Sequence, residues 1–100
     1  MIKVRLKAIP SLSGLFNGSG SEWIVLEREM ADGSSIADLL VDVGKSYSDF
    51  RKIAFDPETG RVNDQLEVVH NDEILLSPDV REIELKDADV IILVPTYDGG

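Results

Sequence analysis

Hydrophobic and polar positions alternate strictly over residues 2 to 9, with Ile2, Val4, Leu6 and Ala8 set against Lys3, Arg5 and Lys7. That period of two predicts a strand with one buried and one wet face. Residues 10 to 21 (PSLSGLFNGSGS) break the pattern with Ser and Gly, and only Leu12, Leu15 and Phe16 are apolar. They read as a long hairpin connection with a mobile tip. Trp23 to Glu27 resume the β pattern, antiparallel to the first strand because only that connection separates them. After Asp32-Gly33-Ser34 the period changes. Ser35 followed by Asp38 forms a capping box, and Ile36, Leu39, Leu40 and Val43 fall at i, i+3, i+4 and i+7, the stripe of an amphipathic helix. Gly44 stands where a left-handed C-terminal cap is expected to stop it.

Ser46 and Asp49 repeat the cap spacing before Tyr47, Phe50 and Ala54, predicting a second short helix that ends before the turn Asp56 to Gly60. Leu66 to His70 read as a strand, Asn71-Asp72 as a turn, and Ile74 to Leu76 as a short edge strand stopped by Ser77-Pro78. The polar stretch 79–89 leads into Val90 to Val94, an unbroken apolar run of the kind found in central strands. The order is β-β-α-(α)-β-β-β. Pairing the last strand parallel to the first through a right-handed crossover satisfies the connection rules. The fold class is therefore α+β: a β-grasp, ubiquitin-like mixed sheet with one main helix and a second short one. Residues 1–95 form the domain and 96–100 a flexible tail. The sheet face opposite the helix would show Lys3, Arg5 and Lys7 beside alternate members of Val90 to Val94, a candidate docking surface.

Length and composition narrow the function. One hundred residues accommodate one core, and no apolar run approaches the ~20 residues of a membrane span. No membrane role is expected. The chain has no Cys, and its start lacks the apolar core of a signal peptide, so an intracellular, cytoplasmic location is expected. The net charge of -9 is local: residues 1–52 carry equal numbers of acids and bases, and the whole excess lies in residues 53–100. Such a chain repels phosphate backbones, so no nucleic-acid partner is expected, whereas a basic protein partner would be attracted. Solubility alone accounts for the same charge.

Catalytic patterns are missing from the body of the domain. His70 has neither a second His nor a Cys beside it and reads as a strand-end histidine, with no metal site. No phosphate-cradling loop and no nucleophile elbow occurs, and Asp87 and Asp89 read as solvated turn residues. The stretch Pro95-Thr96-Tyr97-Asp98-Gly99-Gly100 differs. A diglycine leaves its carbonyl open to approach and allows φ of either sign, which suits a carboxyl threaded into another enzyme's channel. Pro95 stiffens the exit and Tyr97 offers a large anchor.

Taken together, IKVRL, DGSSIADLL, VVHNDE, LKDADVIILVP and the diglycine resemble the MoaD/ThiS group of ubiquitin-like sulfur carriers, over nearly the whole chain outside 10–21 and 54–64. Ala88 replaces the glycine usual in the turn before the last strand, Pro95-Thr96 replaces a frequent Pro-Pro, and Tyr97 and Asp98 replace small residues. The resemblance implies a carrier, not an enzyme. A MoeB/ThiF-type activating enzyme, supplying ATP and Mg2+, would adenylate the Gly100 carboxylate, and a persulfide would convert it to a thiocarboxylate. Pro95, Thr96, Tyr97, Asp98 and Gly99 would contact partners, and the chain has no cofactor of its own. A molybdopterin synthase large subunit would accept the sulfur in the MoaD-like branch. Carriers for thiamin, cysteine or tRNA thiolation, a modifier conjugated to lysines through Gly100, and a non-covalent binding module remain open alternatives.

Overall fold

In the computed structural model, which describes residues 1–75 and 79–96, strand β1 (Ile2–Ala8) is hydrogen-bonded on both edges. Its antiparallel partner is β2 (Ile24–Met30), in register from Ile2 opposite Met30 to Ala8 opposite Ile24. Its parallel partner is the last strand, Val90–Pro95, with Leu6 opposite Ile91. Between these strands in sequence come helices α1 (Ile36–Ser46) and α2 (Ser48–Ile53). Two-residue strands β3 (Phe55–Asp56) and β4 (Arg61–Val62) pair with each other in a separate two-stranded sheet, and Arg61 also bridges to Asp79. Then follow β5 (Leu66–His70) and β6 (Glu73–Ile74), so that Val90–Pro95 is β7. The five-stranded sheet runs β2-β1-β7-β5-β6. This is the β-grasp arrangement expected from the strand order. The last strand lies at the centre because its Ile91 and Leu93 are buried under the helix while both of its edges are paired.

The core is the helix stripe laid on the sheet. Ile36, Leu39, Leu40 and Val43 of α1 meet Val4, Leu6, Ala8, Val68, Ile91 and Leu93 in one buried cluster. The capping box forms in both directions: Ser35 Oγ accepts the Asp38 N–H at 3.1 Å, and Asp38 Oδ2 accepts the Ser35 N–H at 2.9 Å. Two further amides of the first turn, Ile36 and Ala37, donate to the carbonyls of Ile83 and Val80, which places segment 79–85 against the helix start. Val80 and Leu85 in that stretch are fully buried, so it is less polar in role than in composition.

Several boundaries differ from expectation. Helix α1 does not stop at Gly44 but runs to Ser46, with the Tyr47 N–H bonded to the Val43 carbonyl. Gly44 is helical and packs against α2, where an added Cβ would stand 3.3 Å from the Arg51 Cβ. Close helix approach is its role. The second cap shifts as well: Tyr47, not Ser46, is the residue before α2, and no side chain caps that helix. Residues 10–21 are more than a connection. Pro10–Phe16 form a 3-10 helix, Phe16 is buried against Phe50 and Tyr47, and the buried Ser13 hydroxyl accepts the Gly20 N–H at 2.8 Å. Gly18 is required there, because a Cβ would lie 2.7 Å from that of Ser13. The second strand begins at Ile24 rather than Trp23 and extends past Glu27 to Met30. The edge strand is Glu73–Ile74; Leu76, Ser77 and Pro78 lie outside the described residues.

Candidate functional site

Of the residues singled out from the sequence, Pro95 and Thr96 lie where β7 leaves the sheet. Pro95 is the last residue of β7 and stands opposite Leu66 of β5. Thr96 follows, its N–H donating to the Gln65 carbonyl at 2.9 Å and its Oγ1 to the Asp64 carbonyl at 3.4 Å. Tyr97, Asp98, Gly99 and Gly100 lie outside the described residues. The root of the tail is thus held by the turn entering β5, an anchor that sequence reasoning missed. The turn is built on Asn63: its Oδ1 accepts the Gln65 N–H at 2.8 Å, and its carbonyl accepts the Leu66 N–H at 2.9 Å. Its only sequence signal is an Asn just before a β run, the position of an Asx-turn. Beside the root opens a groove of about 600 Å3, lined by Leu12 and Leu15 of the 3-10 helix, Ile53 of α2, and Leu66, Pro95 and Thr96.

The sheet face away from α1 carries the second feature. Strand alternation puts Val90, Ile92 and Val94 on this face, none fully buried. Val69 stands opposite both Ile92 and Ile74, which is 56% exposed, so the stripe continues to the sheet edge. On the other side Arg5 stands opposite Val90 and Lys7 opposite Ile92. The positive border expected from the sequence is partly neutralised: the Arg5 guanidinium is paired with Glu27 at 3.0 Å. Lys3 and Lys7 have no ion-pair partner among the described residues. Lys3 lies beyond the start of β7, where its N–H donates to Asp87 Oδ1 at 2.9 Å and its carbonyl accepts the Ala88 N–H at 2.8 Å.

Of the two carboxylates before β7, Asp87 is exposed as expected and Asp89 corrects the expectation. Asp89 is not a solvated turn residue; its side chain is 7% exposed. Its Oδ2 lies 2.8 Å from His70 Nε2 and accepts the Lys86 N–H at 2.8 Å, while Oδ1 accepts Asn71 Nδ2 at 2.7 Å. Burial alone would raise its pKa, but the hydrogen bonds from Asn71, His70 and the Lys86 amide outweigh burial and hold it below the usual carboxylate value. With its lone pairs so occupied, Asp89 is a structural hub, and His70, expected to be a plain strand-end histidine, is part of it. Ala88 sits at φ 70, so the turn that usually carries glycine survives here with a left-handed alanine. Among the described residues no group of three or more His, Asp or Glu is placed to hold a metal, and no helix is long and apolar enough to cross a membrane.

A five-stranded mixed sheet grasping one main helix, with the last strand at its centre, defines a ubiquitin-like β-grasp protein. The family model described as the ThiS family matches residues 15–100. The chain belongs to the ThiS family, a group of ubiquitin-fold sulfur carriers and modifiers that are not enzymes themselves. No curated protein sequence matches the chain. Among solved structures it is similar to a protein assigned as molybdopterin converting factor subunit 1 from Pyrococcus furiosus, with 23% identity and TM-score 0.70 over 97% of this chain and 100% of that one. Small archaeal modifier protein 1 of Haloferax volcanii gives 15% identity and TM-score 0.72, again over 97% and 100%. A chain of the BexX/CysO complex of Amycolatopsis orientalis gives 19% identity and TM-score 0.65 over 97% and 99%. At these identities the structures establish the fold.

Proposed function

We propose that this protein is a sulfur carrier whose reactive group is the carboxylate of Gly100. The observation that carries the reading is that the ThiS family match runs through Gly99 and Gly100. The anchored root at Pro95 and Thr96 supports it, because a tail handed to a partner needs a fixed origin. In the proposed sequence an activating enzyme of the MoeB/ThiF type binds ATP and Mg2+, and a Gly100 carboxylate oxygen attacks the α-phosphorus. Pyrophosphate leaves, and the acyl-adenylate now has a good leaving group. The outer sulfur of a persulfide attacks the carbonyl, AMP leaves with the oxygen, and a thiol cleaves the S–S bond to leave the thiocarboxylate. Gly99 and Gly100 expose the carbonyl, Tyr97 and Asp98 contact the enzyme's channel, and the open sheet face docks its body.

The sulfur acceptor is a synthase such as a molybdopterin synthase large subunit; thiamin, cysteine and tRNA thiolation are the alternative branches. The reading takes the protein to be cytoplasmic and to hold no cofactor of its own. Incubation with an activating enzyme, ATP and a sulfur source is expected to raise the intact mass by about 16 Da, the replacement of one oxygen by sulfur. An unchanged mass with every such activator overturns the reading. Conjugates of higher mass that vanish when Gly100 is deleted would instead show a lysine-conjugated modifier. Partner binding that survives loss of Gly99 and Gly100 would show a binding module.

A further inference from the structure

The turn at residues 63–66 does more than start a strand, because its hydrogen bonds converge from three parts of the molecule. The Asn63 side chain faces two ways: Nδ2 donates to the Ile53 carbonyl at the end of α2 at 2.9 Å, and Oδ1 accepts the Gln65 N–H at 2.8 Å. The Asn63 N–H adds a third tie, to the Ala54 carbonyl at 2.9 Å. With Gln65 so fixed, its carbonyl accepts the Thr96 N–H at 2.9 Å, one residue past the end of β7. Asn63 itself never touches the tail. A helix end, a turn and the tail root are nonetheless joined through this one amide side chain, which is neither fully buried nor part of the hydrophobic core.

We propose that Asn63 is a positioning residue that sets the direction in which the tail leaves the domain, and so the fraction of molecules whose Gly100 carboxylate is presented to an activating partner. The proposal rests on the reading of Gly100 as the reactive group. Without the Asn63 side chain the Gln65 N–H loses its acceptor and the turn keeps only its backbone ties, from the Asn63 N–H to the Ala54 carbonyl and from the Leu66 N–H to the Asn63 carbonyl, so the Gln65 carbonyl holds Thr96 in only a fraction of the molecules. A partner then captures only the fraction that points correctly, and apparent affinity falls by that fraction. The transferring atoms and their chemistry are untouched, so turnover at saturation is unchanged.

Two measurements on the whole chain test this, with Asn63→Ala and with Asn63→Asp, which keeps the Oδ acceptor for Gln65 but not the donor to Ile53. The first is amide hydrogen exchange by NMR. Thr96 is expected to be protected in the native protein, to lose most of that protection in Asn63→Ala and to recover it largely in Asn63→Asp, while Leu6 and Ile91 in the sheet stay protected in all three. The second is ATP-dependent pyrophosphate release with a carboxylate-adenylating enzyme. For Asn63→Ala the KM for the carrier is expected to rise about fivefold with kcat within twofold, and for Asn63→Asp to return most of the way. Unchanged Thr96 exchange in Asn63→Ala overturns the proposal, as does a fall in kcat at unchanged KM. If the native chain releases no pyrophosphate with any such enzyme, the sulfur-carrier reading fails instead, and the exchange measurement still decides whether Asn63 holds the tail root.

Discussion

His70 Nε2 lies 2.8 Å from Asp89 Oδ2, joining the last residue of β5 to the residue that precedes β7. Asn71 reinforces the junction, donating from Nδ2 to Asp89 Oδ1 and accepting the Val90 N–H on its own Oδ1 at 2.8 Å. Asn71 and Asp72 both have positive φ, 49 and 73, as a tight two-residue hairpin turn demands. One buried carboxylate thus fixes where the central strand begins relative to β5, while on the β1 side the Asp89 backbone carbonyl accepts the Arg5 N–H at 3.0 Å.

Replacing Asp89 with Ala leaves the Asn71 amide and the Lys86 N–H without their acceptor, and is expected to cost about 2–4 kcal/mol in urea unfolding. The pH dependence has a definite sign. Because the folded-state pKa lies below the ordinary 3.8, ionised Asp89 contributes stability that is present above that value and lost as pH falls through the folded-state pKa. The stability gap between the native protein and Asp89→Asn is therefore expected to narrow below pH 3.8. A gap that widened on acidification would show that the carboxyl is not held ionised by its partners.

Ala88 at φ 70 is a strained residue in a turn otherwise well bonded, with its N–H given to Lys3 at 2.8 Å. Glycine relieves the Cβ clash of the left-handed region at some cost in unfolded-state entropy. Ala88→Gly is expected to stabilise the protein by about 1 kcal/mol, read as a rise in Tm of about 4–8 °C. No rise would mean that the turn relaxes around alanine.

Phe16 lies within the Ser/Gly-rich stretch, yet its ring centroid is 5.2 Å from that of Phe50 and 5.4 Å from that of Tyr47. Phe16→Ala is expected to lower unfolding free energy by about 3–5 kcal/mol, the cost of a core aromatic. A loss below 1 kcal/mol would make the 3-10 helix an ornament on the fold.

The same residue shows what the sequence made legible and what it did not. Strands with period-two alternation and a helix with its cap box declare themselves locally, so β1, α1 and β7 and their pairing could be inferred. Leu12, Leu15 and Phe16 also have helical spacing after a proline, but Ser and Gly mask so short a signal. Gly44 looked like a cap because a cap and a helix–helix contact use the same residue; only the approach of Arg51 separates them. Asp89 looked solvated because what buries it comes from His70 and Asn71, nearly twenty positions away. Strands β3 and β4 are two residues each, too short for any period. At the candidate site Pro95 and Thr96 were legible as an exit, whereas the Asn63 turn that holds them is a tertiary feature.

The open sheet face gives a prediction at a residue remote from the reacting carboxylate. Ile92 lies at its centre, opposite Lys7 on β1 and Val69 on β5, on the side of the strand away from the buried Ile91 and Leu93. Threonine there keeps a β-branched shape suited to the strand but removes apolar contact area from the face. The fold is expected to tolerate Ile92→Thr with a loss of about 1 kcal/mol, since the residue is outside the packed core. A partner seated on this stripe loses an apolar anchor near the middle of its interface, and such anchors carry most of the binding energy. In adenylation by an activating enzyme the KM for the carrier is therefore expected to rise about tenfold, at unchanged kcat and with the tail intact. Kinetics identical to those of the native protein would place the partner elsewhere and leave the stripe without a role in activation.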